Sequence, residues 1–248
     1  MLPFSSFGLN IARKSLLIVA ILALSACATR QNPTGIDDPF ELRNRQTHKF
    51  NKSLDRALLK PISKAYGSAA NGPLSRGIDN FASNISLPGT VLNDLLQLQL
   101  GDAFGNTARF AMNSVIGLGG LFDVATPNGL TEQSTDFGET LYIWGVPEGH
   151  FVELPILGPS TGRDAVGTLV DFLIDPTNLI PKPQGYVGTL SRVLNKVSSR
   201  SKFAGTIESI LYESEDSYAQ SRLIYLQSRR HQLSGTLNED DLEDPYAE

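Results

Sequence analysis

The stretch that decides the fold is residues Phe110–Asp164, FAMNSVIGLGGLFDVATPNGLTEQSTDFGETLYIWGVPEGHFVELPILGPSTGRD. It opens as an apolar run of small residues around Gly117, Gly119 and Gly120. Glycine and proline then punctuate it as far as Pro159. It holds one histidine, no cysteine and few acids. Large apolar side chains beside glycine breaks favour a surface for lipid or packing over a reaction centre.

Length and composition suit a folded chain of one large domain or two small ones, with 248 residues, 41% hydrophobic and 19% charged. The net charge is −5, and loss of the first 26 residues makes it −7, since Lys+Arg falls from 21 to 19 against 26 acids. An acidic protein is a poor nucleic-acid binder, because such binding rests on cationic contacts to phosphate. A single cysteine excludes an intrachain disulfide framework and a multi-cysteine zinc site.

The N-terminus predicts a lipoprotein signal peptide over residues 1–26. Arg13 and Lys14 precede the apolar run Ser15–Leu24, which is too short to cross a bilayer core of about 30 Å. Cys27 follows Leu24-Ser25-Ala26 directly, which resembles the bacterial lipobox. In such signals cleavage falls before the cysteine, its sulfur receives a diacylglycerol, and its new amine is acylated. The alternative is a chance free cysteine behind an ordinary signal peptide.

The residues after the cysteine predict a destination and a tether. Ala28 follows Cys27, and by the sorting pattern of lipoproteins a residue other than Asp here indicates delivery to the outer membrane. Several acyl chains would anchor the protein stably, where one chain is marginal. Residues 27–37 are polar with Pro and Gly, and we expect an acylated tether there.

Residues 38–235 predict a single, mainly α domain of short amphipathic helices broken by proline and glycine. We expect Asp38 to cap the first helix, with Phe40, Phe50 and Leu58 on one face. Pro61 should end or kink that helix. Further on, Pro88-Gly89 should separate two helices, and Asp102 should cap the next.

The helix after Asp102 is apolar on more than one side. Phe104, Ala108, Ala111 and Val115 form one stripe, while Phe110, Met112 and Ile116 lie on other faces. Such a helix is either deeply buried or lies against lipid.

Beyond the glycines, Tyr142–Trp144 and His150–Leu154 flank Gly145–Gly149, which predicts a hairpin or a long ordered loop. Thr161 should cap a helix that buries a stripe of Val166, Leu169, Val170 and Leu173. We expect a further helix from Tyr186, with a break near Gly205. A last helix should run over about Glu215–Leu233, and residues 236–248 should form an acidic disordered tail.

A serine hydrolase is the enzymatic alternative, since Gly158-Pro-Ser160-Thr-Gly162 matches G-x-S-x-G. His231 with Asp171 or Asp175 could be nominated as partners of Ser160. Pro155 in the supposed central strand and the absence of βα alternation argue against it. His48, His150 and His231 show no metal-ligand spacing, so we expect no metal.

Several blocks of the sequence resemble the MlaA (VacJ) lipoprotein family. They are Asn44-Arg45, Phe50-Asn51, Pro88–Asp102, Arg109-Phe110, Asn113–Ala125, Asp136–Leu141, Trp144–Val146 and Leu154–Asp164. The resemblance covers about Asp38–Leu233. It is looser at Asp216-Ser217-Tyr218, where related chains often carry Pro in place of Ser.

The resemblance implies a lipid-transport protein and not an enzyme. A ring of helices in the inner leaflet of the outer membrane would surround an amphipathic channel. Phospholipid misplaced in the outer leaflet would pass through it to the soluble periplasmic carrier MlaC, which maintains lipid asymmetry. The family also associates with trimeric porins. No dissociable cofactor is implied, only the covalent lipid on Cys27. Amphipathic helices with a lipid anchor agree physically with a protein that lies in an interface.

Two sets of residues are candidates for the transport path. Asn106, Asn113, Asp123 and Glu139 are candidate polar channel positions, and each could equally be a helix cap or face solvent. The candidate gate comprises Tyr142, Trp144, Gly145, Gly149 and Phe151, with the glycines as hinges. The alternative is a rigid loop packed by Trp144.

A second function of a different class remains open. A structural lipoprotein that only scaffolds a porin or envelope complex would need the same anchor and helices, but no lipid path.

Overall fold

The computed structural model describes residues 36–69, 73–179, 181 and 186–235. The chain from Asp38 onward clusters as one compact unit. The predicted mainly helical fold with a small hairpin is confirmed. Cys27, Ala28 and the acidic tail lie outside the described residues, so the anchor, its sorting and the four-part division of the chain stay predictions.

The helices and strands follow one another along the chain. They are α1 Glu41–Leu54, α2 Lys60–Ala69, α3 Pro73–Leu96, α4 Leu100–Val115, α5 Phe137–Ile143, β1 Phe151–Leu154, β2 Gly158–Thr161, α6 Gly162–Ile174, α7 Tyr186–Lys202, α8 Ala204–Glu208 and α9 Ser217–Ser234.

The first two helices are joined without a break by a π-helical turn, Asp55–Leu59. Pro61 falls in the first turn of α2 directly after it, so the helix changes its winding there and continues. The expected cap at Asp38 is wrong, because Phe40 is the N-cap residue and makes no side-chain cap bond. The Asp38 carboxylate instead accepts hydrogen bonds from Asn44 at 2.8 Å and from Tyr218.

The expected break at Pro88-Gly89 is also wrong, because α3 continues through Pro88 as one helix. An interior proline costs a helix about 3 kcal/mol or more. Packing against α4 and α7 outweighs that cost, and Leu87 beside the proline is fully buried. The chain breaks instead at Leu98, whose φ of +61° is left-handed, so Gln99 and not Asp102 precedes α4.

The glycine run after α4 makes a tight left-handed turn. Leu118, Gly119 and Gly120 have φ of +51°, +74° and +94°. A side chain at Gly120 is excluded, since its Cβ would lie 2.6 Å from Cβ of Asn84. Gly120 N–H donates to the Asn113 carbonyl at 2.8 Å, which returns the chain onto α3 and α4.

The hairpin lies later in the chain than expected. Its strands β1 and β2 pair antiparallel, with Phe151 opposite Thr161 and Leu154 opposite Gly158. The expected hairpin pairing about Gly145–Gly149 is therefore wrong, because Tyr142 is helical and this segment is a loop joining α5 to β1. For Gly145–Gly149 the structure agrees with the alternative prediction, an ordered loop.

The helix after β2 confirms its predicted cap but not its predicted buried face. Thr161 Oγ1 accepts from Asp164 N–H at 3.2 Å. Leu169 and Leu173, expected inside, are more than half exposed, while Arg163 and Asp164 are buried. Val166 and Val170 are half-buried, so the predicted stripe lies at the edge of the packed face and turns outward at Leu169 and Leu173.

The last helices follow the expected order. A break at Phe203 separates α7 from α8, close to the expected Gly205. Asp216 caps α9 by accepting from the N–H groups of Tyr218 and Ala219, each at 3.1 Å, so Ser in place of Pro still permits the helix.

The interior of the described residues is unusually polar. Twenty-five polar or charged residues are buried there, against ten hydrophobic ones. Water-soluble domains show the opposite preference. The outer surface carries large apolar side chains instead, among them Leu42, Leu98, Phe104, Val115, Leu118 and Phe122.

Candidate functional site

The two faces of α4 are reversed relative to a helix in a water-soluble protein. Asn106, Arg109 and Asn113 are buried on its inward face. Phe104 and Val115, from the apolar stripe, are 77% and 79% exposed. Since a helix in water buries its apolar stripe, this arrangement fits the alternative in which the stripe lies against lipid.

The first candidate channel residue, Asn106, joins α3 and α4 to the loop before α5. Its side-chain amide donates to Asp94 Oδ2 at 2.8 Å and to the Gln133 carbonyl at 2.9 Å. Its Oδ1 accepts from Gln133 N–H at 3.3 Å. Asn106 is 1% exposed, so these bonds hold the loop against the buried face of α4.

The next two candidates, Asn113 and Asp123, contact each other at 3.2 Å. Asn113 Oδ1 accepts from the N–H groups of Val124 and Ala125, and Asp123 accepts from Arg109 Nη2 at 2.9 Å. These bonds fix the segment after the glycine turn to α4. They match the plainer alternative of capping, and nothing in them tests a channel role.

The fourth candidate, Glu139, belongs to a separate set of contacts around α5. It is buried, and its Oε2 accepts from Thr135 at 3.1 Å. Its N–H donates to Asp136, which also accepts from Arg229 Nη2 at 2.7 Å. Arg229 reaches Asp164 as well, at 3.2 Å, and so ties α9 to the starts of α5 and α6.

A further polar cluster, which the sequence did not single out, joins α3, α5 and α6. Asn93 donates to Asp171 at 2.8 Å and accepts from Thr140 at 3.0 Å. Gln97 donates to Thr140 at 2.8 Å. The signal in the sequence was the spacing of Asn93 and Gln97, which stand four residues apart where α3 ends.

The carboxyl groups of this interior respond differently to burial. Desolvation raises the pKa of Asp94, of Glu139 and of Asp171. Burial would also raise the pKa of Asp123, but hydrogen bonds from Thr126, Arg109 and Asn113 outweigh it and lower that pKa to about 2. The pKa of the buried Asp164 is lowered as well, because Arg229 and Tyr225 outweigh its burial, so groups with raised and with lowered pKa lie within the same body.

The candidate gate is an ordered loop held at both ends. Gly145 and Gly149 have φ of +82° and +73°, as expected for glycine-dependent positions. Trp144 Nε1 donates to the Leu96 carbonyl at 3.2 Å, and Arg163 N–H donates to the Glu148 carbonyl at 3.1 Å. Arg230 pairs with both oxygens of Glu148, at 2.9 and 2.7 Å. Whether the loop opens stays a prediction.

The nominated catalytic groups do not come together. Ser160 is buried in β2, and its hydroxyl donates to the Thr161 carbonyl at 3.3 Å. Asp171 accepts from Asn93 and Phe137, Asp175 accepts from Thr177, and His231 is exposed on α9. The motif is thus accounted for by a hairpin followed by a helix cap.

An amphipathic cavity of about 520 Å³ lies between α7, the α8 region, α9 and the hairpin. Phe203, Ile207 and Ile224 contribute apolar walls, while Lys196 and Arg200 contribute cations. Burial lowers the pKa of Lys196, whose Nζ donates to the carbonyls of Ile156 and Leu157 at 2.8 and 3.0 Å. Sequence reasoning missed this cavity, although Lys196 and Arg200 stand one helical turn apart.

These features define a class of protein: a helical body with a polar interior and an apolar exterior, suited to a lipid interface. None of the described helices is both long and apolar enough to cross a bilayer. The family model for the MlaA lipoprotein matches residues 36–232, and the chain belongs to this family. The resemblance found in the sequence is confirmed.

Relatives and a solved structure agree with the assignment. The chain is 30% identical over 220 residues to the intermembrane phospholipid transport system lipoprotein MlaA of Escherichia coli K12, covering 87% of this chain and 86% of that protein. Identity to the Haemophilus influenzae protein of the same name is 29% over 226 residues, 88% of each chain. A solved structure concerned with the maintenance of bacterial outer membrane lipid asymmetry superposes with a TM-score of 0.67 at 28% identity. The match covers 79% of this chain and 98% of that one.

Proposed function

We propose that the protein removes misplaced phospholipid from the outer leaflet of the bacterial outer membrane and delivers it towards the periplasm. The observation that carries this proposal is the inverted distribution of side chains, polar inside and apolar outside. The names of the Escherichia coli and Haemophilus influenzae relatives support intermembrane phospholipid transport as the process.

In this proposal the body lies in the inner leaflet, held by the acylated Cys27. Exposed apolar residues such as Phe104, Val115 and Phe122 contact acyl chains. The polar backbone of the glycine turn and the buried amides face inward, because polar groups in contact with hydrocarbon must be satisfied within the protein.

The lipid path that the geometry favours includes the amphipathic cavity. Acyl chains would lie along Phe203, Ile207 and Ile224, and the phosphate would approach Lys196 and Arg200. No covalent step is needed, and Ser160 has no catalytic role. Asn106, Asn113, Asp123 and Glu139 remain candidate polar positions on the same route.

The gate in this proposal is the Gly145–Gly149 loop, with Tyr142 and Trp144 as its apolar mass. Phe151, the other gate candidate, is instead fully buried in β1 against Tyr218 and Tyr225 and belongs to the core. The Arg230–Glu148 ion pair would hold it closed. Glu148→Gln and Arg230→Gln should therefore each increase lipid flow, and the swap Glu148→Arg/Arg230→Glu should restore it. Equal transport in all of these variants would place the gate elsewhere.

The proposed partners are phospholipid, a trimeric porin in the outer membrane and the periplasmic carrier MlaC. A lipoprotein that only scaffolds the porin would bind it equally well but take no lipid.

Photo-crosslinking separates transport from scaffolding. A photoreactive amino acid at Ile207 or Ile224, on the cavity wall, should capture phospholipid in cells. The same amino acid at Gln227, exposed on α9, provides the control. Surface phospholipid in a strain lacking the protein should fall on complementation with the unmodified chain. Complementation without lipid capture at either cavity position would favour the scaffold.

A further inference from the structure

Positive charge is concentrated in one segment of this acidic chain. Residues 41–64 hold seven cations, Arg43, Arg45, Lys49, Lys52, Arg56, Lys60 and Lys64, against the two acids Glu41 and Asp55. That segment therefore carries +5, while the rest of the chain must carry −10 to give the total of −5. A local excess of this size predicts an anionic partner for the segment.

Five of these cations form a continuous strip, which we call the basic face: Lys49, Lys52, Arg56, Lys60 and Lys64. They recur every three or four residues through α1, the π-helical turn and α2.

Three cations in the middle of the basic face lie on the same side of the helices, because all three approach the ring of Tyr212. Lys52 Nζ, Arg56 Cζ and Lys60 Nζ lie 5.5, 5.2 and 4.6 Å from its centroid. Arg56, Lys60, Lys64 and Tyr212 also line an open cleft of about 500 Å³. The cleft thus presents three cations around an aromatic wall.

The protein's own acids neutralise this face only in part. Asp55 is buried and accepts from Arg200 at 2.8 Å and from Tyr212 at 2.8 Å. Glu208 is shared between Lys60 at 2.6 Å and Arg200 at 2.7 Å. Lys52 donates to Ser217 at 3.4 Å.

The remaining cations of the basic face form no ion pair within the part of the chain that the structure describes. Among the described residues, no carboxylate forms an ion pair with Lys49, Arg56 or Lys64. Around Tyr212 the cations Lys52, Arg56, Lys60, Lys64 and Arg200 face the acids Asp55 and Glu208, which leaves +3.

Apolar residues on the same helices indicate what kind of anion fits. Phe50, Leu58 and Ile62 are each at least half exposed. Helices with basic residues beside exposed aromatic and aliphatic ones lie in the plane of a membrane surface, with the cations at the level of the phosphates. An acidic protein partner would explain the charge but not the interleaved apolar side chains.

We propose that the basic face docks onto the phosphate groups of anionic phospholipid at the membrane surface and selects such lipid over zwitterionic lipid. This inference rests on the membrane location in the proposed function but not on transport. A lipid preference can exist in a protein that moves no lipid, and transport can occur without it, so the two can fail separately.

Native mass spectrometry of the full acylated protein in detergent tests the inference. The protein is offered equal amounts of phosphatidylglycerol and phosphatidylethanolamine, and the ratio of the two retained lipids is measured. Each cation near an anionic surface strengthens binding roughly fivefold. We expect phosphatidylglycerol to be retained in excess, and Arg56→Gln/Lys64→Gln to lower the ratio by roughly tenfold or more. The excess should also shrink as ammonium acetate rises, because exposed charges are screened.

A matched control removes two other exposed cations. Arg192→Gln/Lys202→Gln changes the net charge equally but affects cations paired with Asp175 and Asp79, and should leave the ratio unchanged. The charge-preserving Arg56→Lys/Lys64→Arg should keep the excess, and circular dichroism should show the same helical content in each variant. A ratio near one for the unmodified protein would overturn the proposal. So would an equal loss in the control, or binding of an acidic protein without any lipid preference.

Discussion

Helices α4 and α9 differ in the kinds of side chain that they bury and expose. The first buries Asn106 and Arg109 and exposes Phe104, whereas the second buries Leu226 and Leu233 and exposes polar residues including Gln227 and Arg230. They are of similar length, 16 and 18 residues, but α4 has a pronounced apolar stripe, whereas the apolar residues of α9 are spread around the helix. In the proposed function, this difference places α4 against lipid and α9, apart from its cavity side at Ile224, towards water.

The largest expected effect comes from breaking the polar interior of α4. Arg109→Met removes a buried cation that bonds the half-buried Asp123, Thr126 and the Leu130 carbonyl, and we expect a loss of about 3–5 kcal/mol in the free energy of unfolding. Arg230→Met on α9 removes a cation from an exposed pair and should cost less than about 1 kcal/mol. Urea unfolding in detergent measures both, and equal losses would remove the distinction between the two helices.

A charge on the outward face is the next largest perturbation. Phe104→Asp places a carboxylate where we expect acyl chains, at a cost of about 2–3 kcal/mol in membrane association. Gln227→Asp on α9 should have almost no effect, since that face meets water. Flotation with vesicles after a urea wash compares the bound fractions. Retention of the Phe104 variant at the level of the Gln227 variant would contradict the assignment of α4 to lipid.

The carboxylates beside α4 and at the start of α9 should also differ in how much they contribute to the pH dependence of stability. The pKa of Asp123 in the folded protein is about 2, below the ordinary value of 3.8, so its ionised form stabilises the fold. That stabilisation is complete above about pH 4 and is lost as the pH falls towards 2. It amounts to about 2 kcal/mol.

The matched group at the start of α9 is Asp216. A hydrogen bond with Arg45 also lowers the pKa of Asp216 to about 2. Asp216 is exposed, so solvent screening should make its contribution smaller. Measuring the free energy of unfolding of Asp123→Asn and of Asp216→Asn against pH compares the two contributions. Below about pH 4 the free energy of unfolding should depend less on pH in Asp123→Asn than in Asp216→Asn. An equal change in both variants would mean that the surroundings of Asp123 do not make its ionised form more stabilising than that of the exposed Asp216.

The smallest effects are expected at the hairpin. Thr161→Ala removes the cap of α6 and should cost about 0.5–2 kcal/mol. Ser160→Ala removes the hydrogen bond to the Thr161 carbonyl and the contact with the Tyr225 hydroxyl, and should cost about 1 kcal/mol, with lipid transport intact. Complete loss of transport in a stable Ser160 variant would instead support the hydrolase.

Much of the fold could be predicted from the sequence, because 3.6-residue periodicity and turn residues act locally. The helix from Tyr186, the Thr161 cap and the last helix were all predicted. Periodicity tells which residues share a face but not which medium that face meets. For this reason Leu169 and Leu173 were wrongly placed inside.

The remaining errors concern contacts between distant parts of the chain. The packing that carries α3 through Pro88 comes from α4 and α7. The strand pairing of Phe151 with Thr161 lies beyond the expected turn. The cavity residues Lys196, Ile207 and Ile224 meet only after three segments have packed. Lysine and arginine spacing in residues 41–64 was visible, yet its meaning depended on Tyr212, which lies far along the chain.

The most direct measurement is the accessibility of a spin label on the two contrasted helices of the acylated protein in nanodiscs. Labels replacing Phe104 and Val115 on α4 are compared with labels replacing Gln227 and Arg230 on α9. We expect frequent collisions with oxygen and few with a water-soluble nickel complex on α4, and the reverse on α9. Equal exposure of both helices to the nickel complex would contradict the claim that the apolar exterior lies in lipid.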